Sequence, residues 1–451
     1  MFRRIFICMA ALIGLSGCTV HPPGEKQERQ AALAAGHGYE KPFEERRVQP
    51  LPGDPTRDEL IQYAFASSAD LEQTYWQWRS AIEQIPIDGT QATNLVLSFS
   101  TATNNGNFSA DRTVIGAGND PMADIVLPSK LSAAAQRALE DARAAGRRFR
   151  KSQFELRRKV LAAYDDYALS GEMIRLDERD IQLLQATADA TAARSRAAVS
   201  SQQDVLRARN ELDLAENDLE NQRARLVIQL AALNAILNRP PDAVIAPPAA
   251  LPATRPVTVS DQELLERAAN SNPELTALAD EIRGKRQGVY LARLQNYPDF
   301  SLSASTDLRG IMQTLLGSVT IPALRHEAIA AAISQAQDNV RAAEAIRRQT
   351  GNDLAAQIVD DVATLRDADR QIALLNQTIL PRARQAVELL RTAYQSATGS
   401  FLDVLEAQRT LIDLEKLSAN LAITRDQRLL EIEAIVAVPT AAWPAGSPSR
   451  P

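Results

Sequence analysis

Two stretches of this chain carry one pattern of apolar and polar positions, about two hundred residues apart. Residues 195–209, S-R-A-A-V-S-S-Q-Q-D-V-L-R-A-R, are answered by residues 394–408, Y-Q-S-A-T-G-S-F-L-D-V-L-E-A-Q. Asp204-Val205-Leu206 and Asp403-Val404-Leu405 stand 403 − 204 = 199 residues apart. Repetition at a fixed long offset points to two copies of one structural unit. Ser201-x-x-Asp204 and Ser400-x-x-Asp403 each fit a capping box, in which a hydroxyl and a carboxylate satisfy free N–H groups at a helix start. Each copy therefore reads as a hairpin tip: a long helix arrives, the chain turns near Ala198 or Ala397–Gly399, and a second helix leaves from the serine.

The rest of the pattern repeats with the tips. Residues 58–85 place Leu60, Ala64, Leu71, Tyr75 and Trp78 near one helical face, and residues 261–296 answer with Leu264, Leu265, Ala268 and Leu275. Trp76 and Trp78 read as packing residues. Strand-like alternation follows at 93–100, with Leu95, Leu97 and Phe99, and a return strand is expected at 125–127 after a Gly/Asn-rich loop. The second copy offers 300–304 and 319–321, and a helix is expected directly after Pro128 and Pro322. Residues 129–189 run as helix without a proline. The return helix carries Leu212, Ala215, Leu219, Leu226, Leu230, Leu233 and Leu237, spaced in threes and fours like a coiled-coil seam. In the second copy Pro381 falls inside a helical run that it kinks without ending.

The expected fold is mainly α: two tandem repeats of long antiparallel coiled-coil helices, with four β-strands per chain. The division is a signal peptide at 1–17, a lipidated tether at 18–57, a first repeat at 58–239, a Pro-rich linker at 240–260, a second repeat at 261–438 and a loose tail at 439–451.

Composition narrows the function. The net charge of −6 becomes −6 − 2 = −8 once Arg3 and Arg4 leave with the leader, which excludes a nucleic-acid-binding class. The leader has a positive start and an apolar core too short to span a bilayer. Leu15-Ser16-Gly17-Cys18 resembles the lipobox of bacterial lipoproteins, and Thr19 after the cysteine implies, by the same resemblance, sorting to the outer membrane of a Gram-negative cell. Cys18 would then carry covalent lipid, and no other cofactor is expected. Cys8 and Cys18 are the only cysteines, and His21, His37 and His326 are scattered. No nucleophile–base pair or metal-ligand cluster stands at usable spacing, so the chain does not read as an enzyme.

Tyr394 with Asp403-Val404-Leu405-x-Ala407-Gln408, the earlier Asp204-Val205-Leu206-x-Ala208-Arg209, and Asn272-Pro273-Glu274-Leu275 followed by Tyr297-Pro298-Asp299-Phe300 resemble the TolC-type outer-membrane efflux family. The resemblance implies a homotrimer, an α-helical tube capped by a 12-stranded β-barrel, full or reduced. It implies an exit duct for a tripartite efflux or type I secretion-like system. Its partners would be a periplasmic adaptor (membrane fusion) protein, an inner-membrane pump of RND or ABC type, and outer-membrane lipid. The family's acidic constriction falls on Asp403 and Glu406, although a plain cap and a solvated face explain the two as well. Adaptor contact falls on the tips: Ala198, Ser200, Ser201, Tyr394, Ala397, Thr398, Gly399 and Ser400. The family's usual glycine after Tyr394 is Ala397 here. The alternative function is a non-conducting periplasmic lipoprotein built from the same hairpins.

Overall fold

The structure is a computed structural model that describes residues 19–46, 48–90, 95–102, 106, 113–119, 126–197, 200–257, 259–307, 313–396 and 398–439. The leader, Cys18, tip residues Ala198 and Ala397, strand candidates Thr93, Asn94 and Ile125, and the tail from 440 onward lie outside them.

The elements in chain order are α1 Glu25–Ala35, α2 Arg57–Ser67, α3 Ala69–Gly89, β1 Leu95–Thr101, β2 Thr113–Asn119, α4 Pro128–Arg196 and α5 Gln202–Ile236. The second repeat follows with α6 Asp261–Ser271, α7 Pro273–Leu294, β3 Asp299–Asp307, β4 Gln313–Thr320, α8 His326–Leu374, a π-helical segment Leu375–Ile379, α9 Leu380–Gln395 and α10 Phe401–Val436.

Several expectations are corrected. The helix expected over 58–85 is two helices broken at Ser68, whose Oγ accepts from the Leu71 N–H at 3.3 Å. Its counterpart breaks at Asn272, which precedes a proline and is pushed out of helical geometry. The first return strand lies inside its expected loop, at Thr113–Asn119, and the second starts inside its loop and runs into the expected positions 319 and 320, at Gln313–Thr320. Hence β3 reaches 9 residues, the length a tilted membrane strand needs. Pro128 opens α4 directly, but after Pro322 a turn intervenes before His326. The segment expected as a tether, 18–57, holds a helix, α1. Pro381 sits in the first turn of α9, directly after the π segment, so the helical run continues through it as expected.

The four strands form one antiparallel sheet in the order β1-β2-β3-β4. Phe99 pairs with Ile115, Ile115 with Thr306, and Phe300 with Val319.

Two compact units divide the chain, and each takes equivalent segments from both repeats. The first comprises the chain to His37, Gln73–Phe149 and Pro273–Thr350, and so holds the sheet. In it Trp78 stacks on Phe149 at 5.6 Å and donates from Nε1 to Glu28 of α1 at 2.9 Å. Gly36, just past α1, lies so close to the Tyr75 ring that a Cβ there would meet it at 1.9 Å. Thr19 and Val20 are pinned to Thr90 Oγ1 and the Gly89 carbonyl, each at 2.9 Å.

The second unit, Gly38–Glu72, Arg150–Asn272 and Gly351–Pro451, buries Leu264, Ile358, Leu365, Leu429, Ile432 and Val436 together. Around it the segment before α2 and the linker before α6 form a belt. The Ala246 N–H donates to the Gly53 carbonyl at 2.8 Å, and the Tyr167 hydroxyl to the Ile245 carbonyl at 2.6 Å. Under the belt Arg57 bridges Asp165 and Asp426, while Arg255 bridges Asp426 and Glu433 at 3.0 and 2.9 Å. Arg157 is the third cation of the cluster and the second on Glu433, at 2.6 Å. Asp165 is fully buried and its Oδ2 faces no donor, so burial pushes its carboxyl up to about 8. A carboxyl raised that far holds its proton at neutral pH, and the charge of neighbouring Asp426 raises it further. Asp426, clasped by Arg57 and Arg255, is held below the usual carboxylate range despite its burial, so the proton belongs to Asp165.

Candidate functional site

Both hairpin tips lie in the second unit and share one small core. Leu184 and Ala188 from α4, Ala208 from α5, Tyr394 from α9, and Phe401, Val404 and Leu405 from α10 pack together, flanked by Leu212, Ala215 and Leu390. These apolar positions recur in threes and fours on each helix, so each helix turns one stripe toward the others.

A polar line crosses this core. The Tyr394 hydroxyl donates to Thr191 Oγ1 at 3.0 Å, and Thr191 donates to the Thr187 carbonyl at 2.8 Å. Gln408 Nε2 donates to Thr187 Oγ1 at 3.1 Å. Arg194 donates to the Tyr394 carbonyl and lays its guanidinium over the Tyr394 ring, 4.4 Å from the centroid. These contacts tie the first hairpin to the second. Thr187, Thr191 and Arg194 were not singled out in the sequence. Their spacing by three and four was the available signal, and it means little until the partner helix is known.

The tip turns differ in chemistry. Ser201 and Asp204 form the full capping box: the Asp204 N–H donates to Ser201 Oγ at 3.1 Å, and the Ser201 N–H donates to Asp204 Oδ2 at 3.3 Å. Ser400 instead accepts from the Leu402 N–H at 3.2 Å, so the box expected at Ser400 and Asp403 does not form. The turn here is closed by other bonds. The Thr398 and Gly399 N–H groups both donate to the Ala393 carbonyl, at 2.9 and 3.0 Å. A Cβ at Gly399 would lie 3.0–3.1 Å from the backbone of Ala393 and Tyr394, which is why the turn takes glycine.

Of the expected tip residues, Ser201, Thr398 and Ser400 are exposed, and Ser200 and Gly399 are half-buried. Ser200 donates to the Thr191 carbonyl at 3.1 Å. Tyr394 differs: at 5% exposure its ring is turned inward and holds the tip together. A contact surface for a partner needs an accessible side chain, and Tyr394 does not offer one.

Because no box forms at Ser400, Asp403 is left free. Asp403 and Glu406 are exposed one helical turn apart and have no hydrogen-bond or ion-pair partner among the described residues. They open on a shallow groove between α9 and α10 lined by Ala383, Ala386, Leu390, Ala407 and Thr410. Two unpartnered carboxylates beside small side chains attract cations, more so if copies are brought together.

In the first unit the sheet is two-faced. Phe99, at 63% exposure, shares one face with Ile115, Phe300 and Val319, all exposed. Ser98, Ser100, Thr314, Ser318 and Thr320 occupy the alternate positions, interrupted by Val114 and Leu316. β1 and β4 are left as edges. No helix among the described residues is long and apolar enough to cross a membrane.

Comparison with known proteins agrees with this architecture. Residues 264–438 match the outer membrane efflux protein family. The cobalt-zinc-cadmium resistance protein CzcC of Cupriavidus metallidurans is 28% identical over 269 residues, 57% of this chain. That match spans 62% of the relative's length, about three fifths. Two solved outer-membrane channels share the fold. OprN superposes with a TM-score of 0.75 at 16% identity, covering 86% of this chain and 93% of its own. VceC of Vibrio cholerae gives 0.71 at 19%, covering 85% and 96%.

Proposed function

We propose that this chain, a TolC-type member of the outer membrane efflux protein family, is the exit duct of a tripartite export system in the outer membrane of a Gram-negative bacterium. The observation that carries the reading is the sheet. Four strands with one exposed apolar face, one largely polar face and two open edges cannot lie in lipid alone, because open edges leave backbone groups without partners there. Pairing β4 of one copy with β1 of the next removes every edge, and three copies of the four strands give a twelve-stranded barrel with its apolar face to lipid. The long helices of the same three copies then continue the lumen into the periplasm.

Asp403 and Glu406, repeated three times, form an acidic constriction that divalent cations plug. The exposed tip residues Ser201, Thr398 and Ser400 meet the hairpins of a periplasmic adaptor, which couples the duct to an inner-membrane pump. Cys18 carries lipid, and Thr19 and Val20, which follow it, are held against the end of α3. The name of the Cupriavidus relative makes divalent metal ions the first cargo to try.

Purified trimers in a planar bilayer should show discrete conductance steps that fall when divalent cations are added on the tip side. Asp403→Ala with Glu406→Ala should remove that block. A block that survives both substitutions would take the two carboxylates out of the constriction, and a protein that never conducts would point to a structural lipoprotein instead.

A further inference from the structure

The two repeats leave the sheet in different ways. In the first repeat Pro128 opens α4 directly, and Lys130 folds back to the start of β3: Nζ donates to both oxygens of Asp299 at 2.8 Å and to the Tyr297 carbonyl at 3.0 Å. After β4 the chain instead makes the turn Pro322-Ala323-Leu324-Arg325, closed by the Arg325 N–H donating to the Pro322 carbonyl at 3.1 Å. At its apex Leu324 is 98% exposed, the most open large apolar side chain described.

The surroundings of Leu324 are those of a membrane boundary. Asp299 pairs with Thr320, which places the entry to β3 and the exit from β4 at one end of the hairpin. Tyr297, on the turn before β3, and Ile321, just past β4, are both exposed there. Ile321 follows Val319 by two, so it continues the apolar face that Phe300 and Val319 begin. Arg293 and Arg325 flank the same end, are exposed, and have no acidic partner among the described residues. Asp299 is already held by Lys130, and Glu327 lies in the first turn of α8, where it offsets the positive end of that helix. An amphipathic ring, a fully exposed leucine and long cations with apolar stems are the side chains that settle where acyl chains meet headgroups.

We propose that the turn Pro322–Arg325, with Tyr297 and Ile321, is a phospholipid-contacting foot: Leu324 enters the acyl layer while Arg293 and Arg325 engage headgroup phosphates. The occupant is lipid because the foot is continuous with the sheet's outward apolar face and its free charges are cationic. This rests on the reading of the sheet as membrane-spanning. It adds that the second repeat carries a boundary anchor.

The test replaces Leu324→Trp, which an exposed site accommodates without disturbing the fold, and reconstitutes the trimer in phosphatidylethanolamine/phosphatidylglycerol vesicles, with the unsubstituted protein as baseline. Emission from the new tryptophan should be quenched by bromine on the acyl chains and spared by aqueous iodide. Brominated phosphatidylglycerol should quench more than brominated phosphatidylcholine. Arg293→Gln with Arg325→Gln should shrink that preference by up to about fivefold per arginine. Quenching by iodide would put the turn in water, and shielding from both quenchers would put it against a neighbouring subunit; either result overturns the foot. Conductance from the same preparation separates the two readings: a conducting trimer with an iodide-quenched tryptophan loses the foot and keeps the duct.

Discussion

Tyr394 tests whether the tips are held as described. Tyr394→Phe removes only the hydroxyl that donates to Thr191 Oγ1 at 3.0 Å. Thr191 keeps its own bond to the Thr187 carbonyl, so no donor is orphaned. The cost is then one neutral hydrogen bond, about 1 kcal/mol, or roughly fivefold in a local opening equilibrium. Tyr394→Ala also removes a ring packed 6.0 Å from Phe401 and 4.4 Å from the Arg194 guanidinium. Truncating a buried aromatic costs about 3–5 kcal/mol and the cation–π contact adds about 0.5–2, and these do not simply sum because they share one ring.

Hydrogen exchange at the turn reads this directly, because the Thr398 and Gly399 amides both donate to the Ala393 carbonyl beside Tyr394. Exchange there should quicken about fivefold in Tyr394→Phe. In Tyr394→Ala it should quicken a hundredfold or more, about 3 kcal/mol, up to the limit of an unprotected turn. Peptides from the first unit, around Trp78, should be unchanged in both. Unchanged exchange at Thr398 and Gly399 in Tyr394→Ala would mean that the turn's own backbone bonds hold it and the tyrosine does not.

The remaining predictions concern the belt and the anchor. Asp165 binds its proton more tightly folded than unfolded, so between the ordinary carboxylate range and about 8 stability falls as pH rises; Asp165→Asn should match the parent's melting temperature at pH ~4, where both states hold the proton, and exceed it by a margin that widens up to about 8, and a margin that does not change with pH would refute the proton assignment. Radiolabelled palmitate should enter the parent in cells and fail to enter Cys18→Ser, while equal labelling would remove Cys18 as the lipid site.

Duplication, hairpins and tip positions were legible because they depend on local periodicity and on an offset that survives in the sequence. The return strands were not. Thr113–Asn119 alternates glycine with other residues, and Gly116 and Gly118 are strand only because the ladder sets them opposite Ser305 and Ser303. Propensity cannot show a pairing that closes across nearly two hundred residues. α1 was missed for a related reason. Glu25–Ala35 opens with six polar residues and buries only Glu25 and Ala32, and contacts from Trp78 and Glu83 on α3 hold it in place. Tyr394 was placed correctly at the tip but given an outward role, since an aromatic beside a turn looks the same in sequence whichever way its ring points.

The internal duplication also serves as a control, because a feature both copies share is what the scaffold requires, and a feature only one has needs another cause. Both copies break the helix before the sheet, at Ser68 and Asn272, so that break belongs to the scaffold. The second copy alone leaves its capping aspartate unbound, turning Asp403 from a cap into a free charge. It alone interrupts its long helix with a π segment at Leu375–Ile379, ahead of Pro381, where the first copy runs unbroken for 69 residues. It also exposes an apolar turn at Leu324. Each departure costs stability that the first copy shows to be avoidable: an uncapped carboxylate, a distorted helical ladder, a leucine in water. Such costs persist where something recovers them, and under the proposed function the second repeat is where assembly, gating or the membrane would do so.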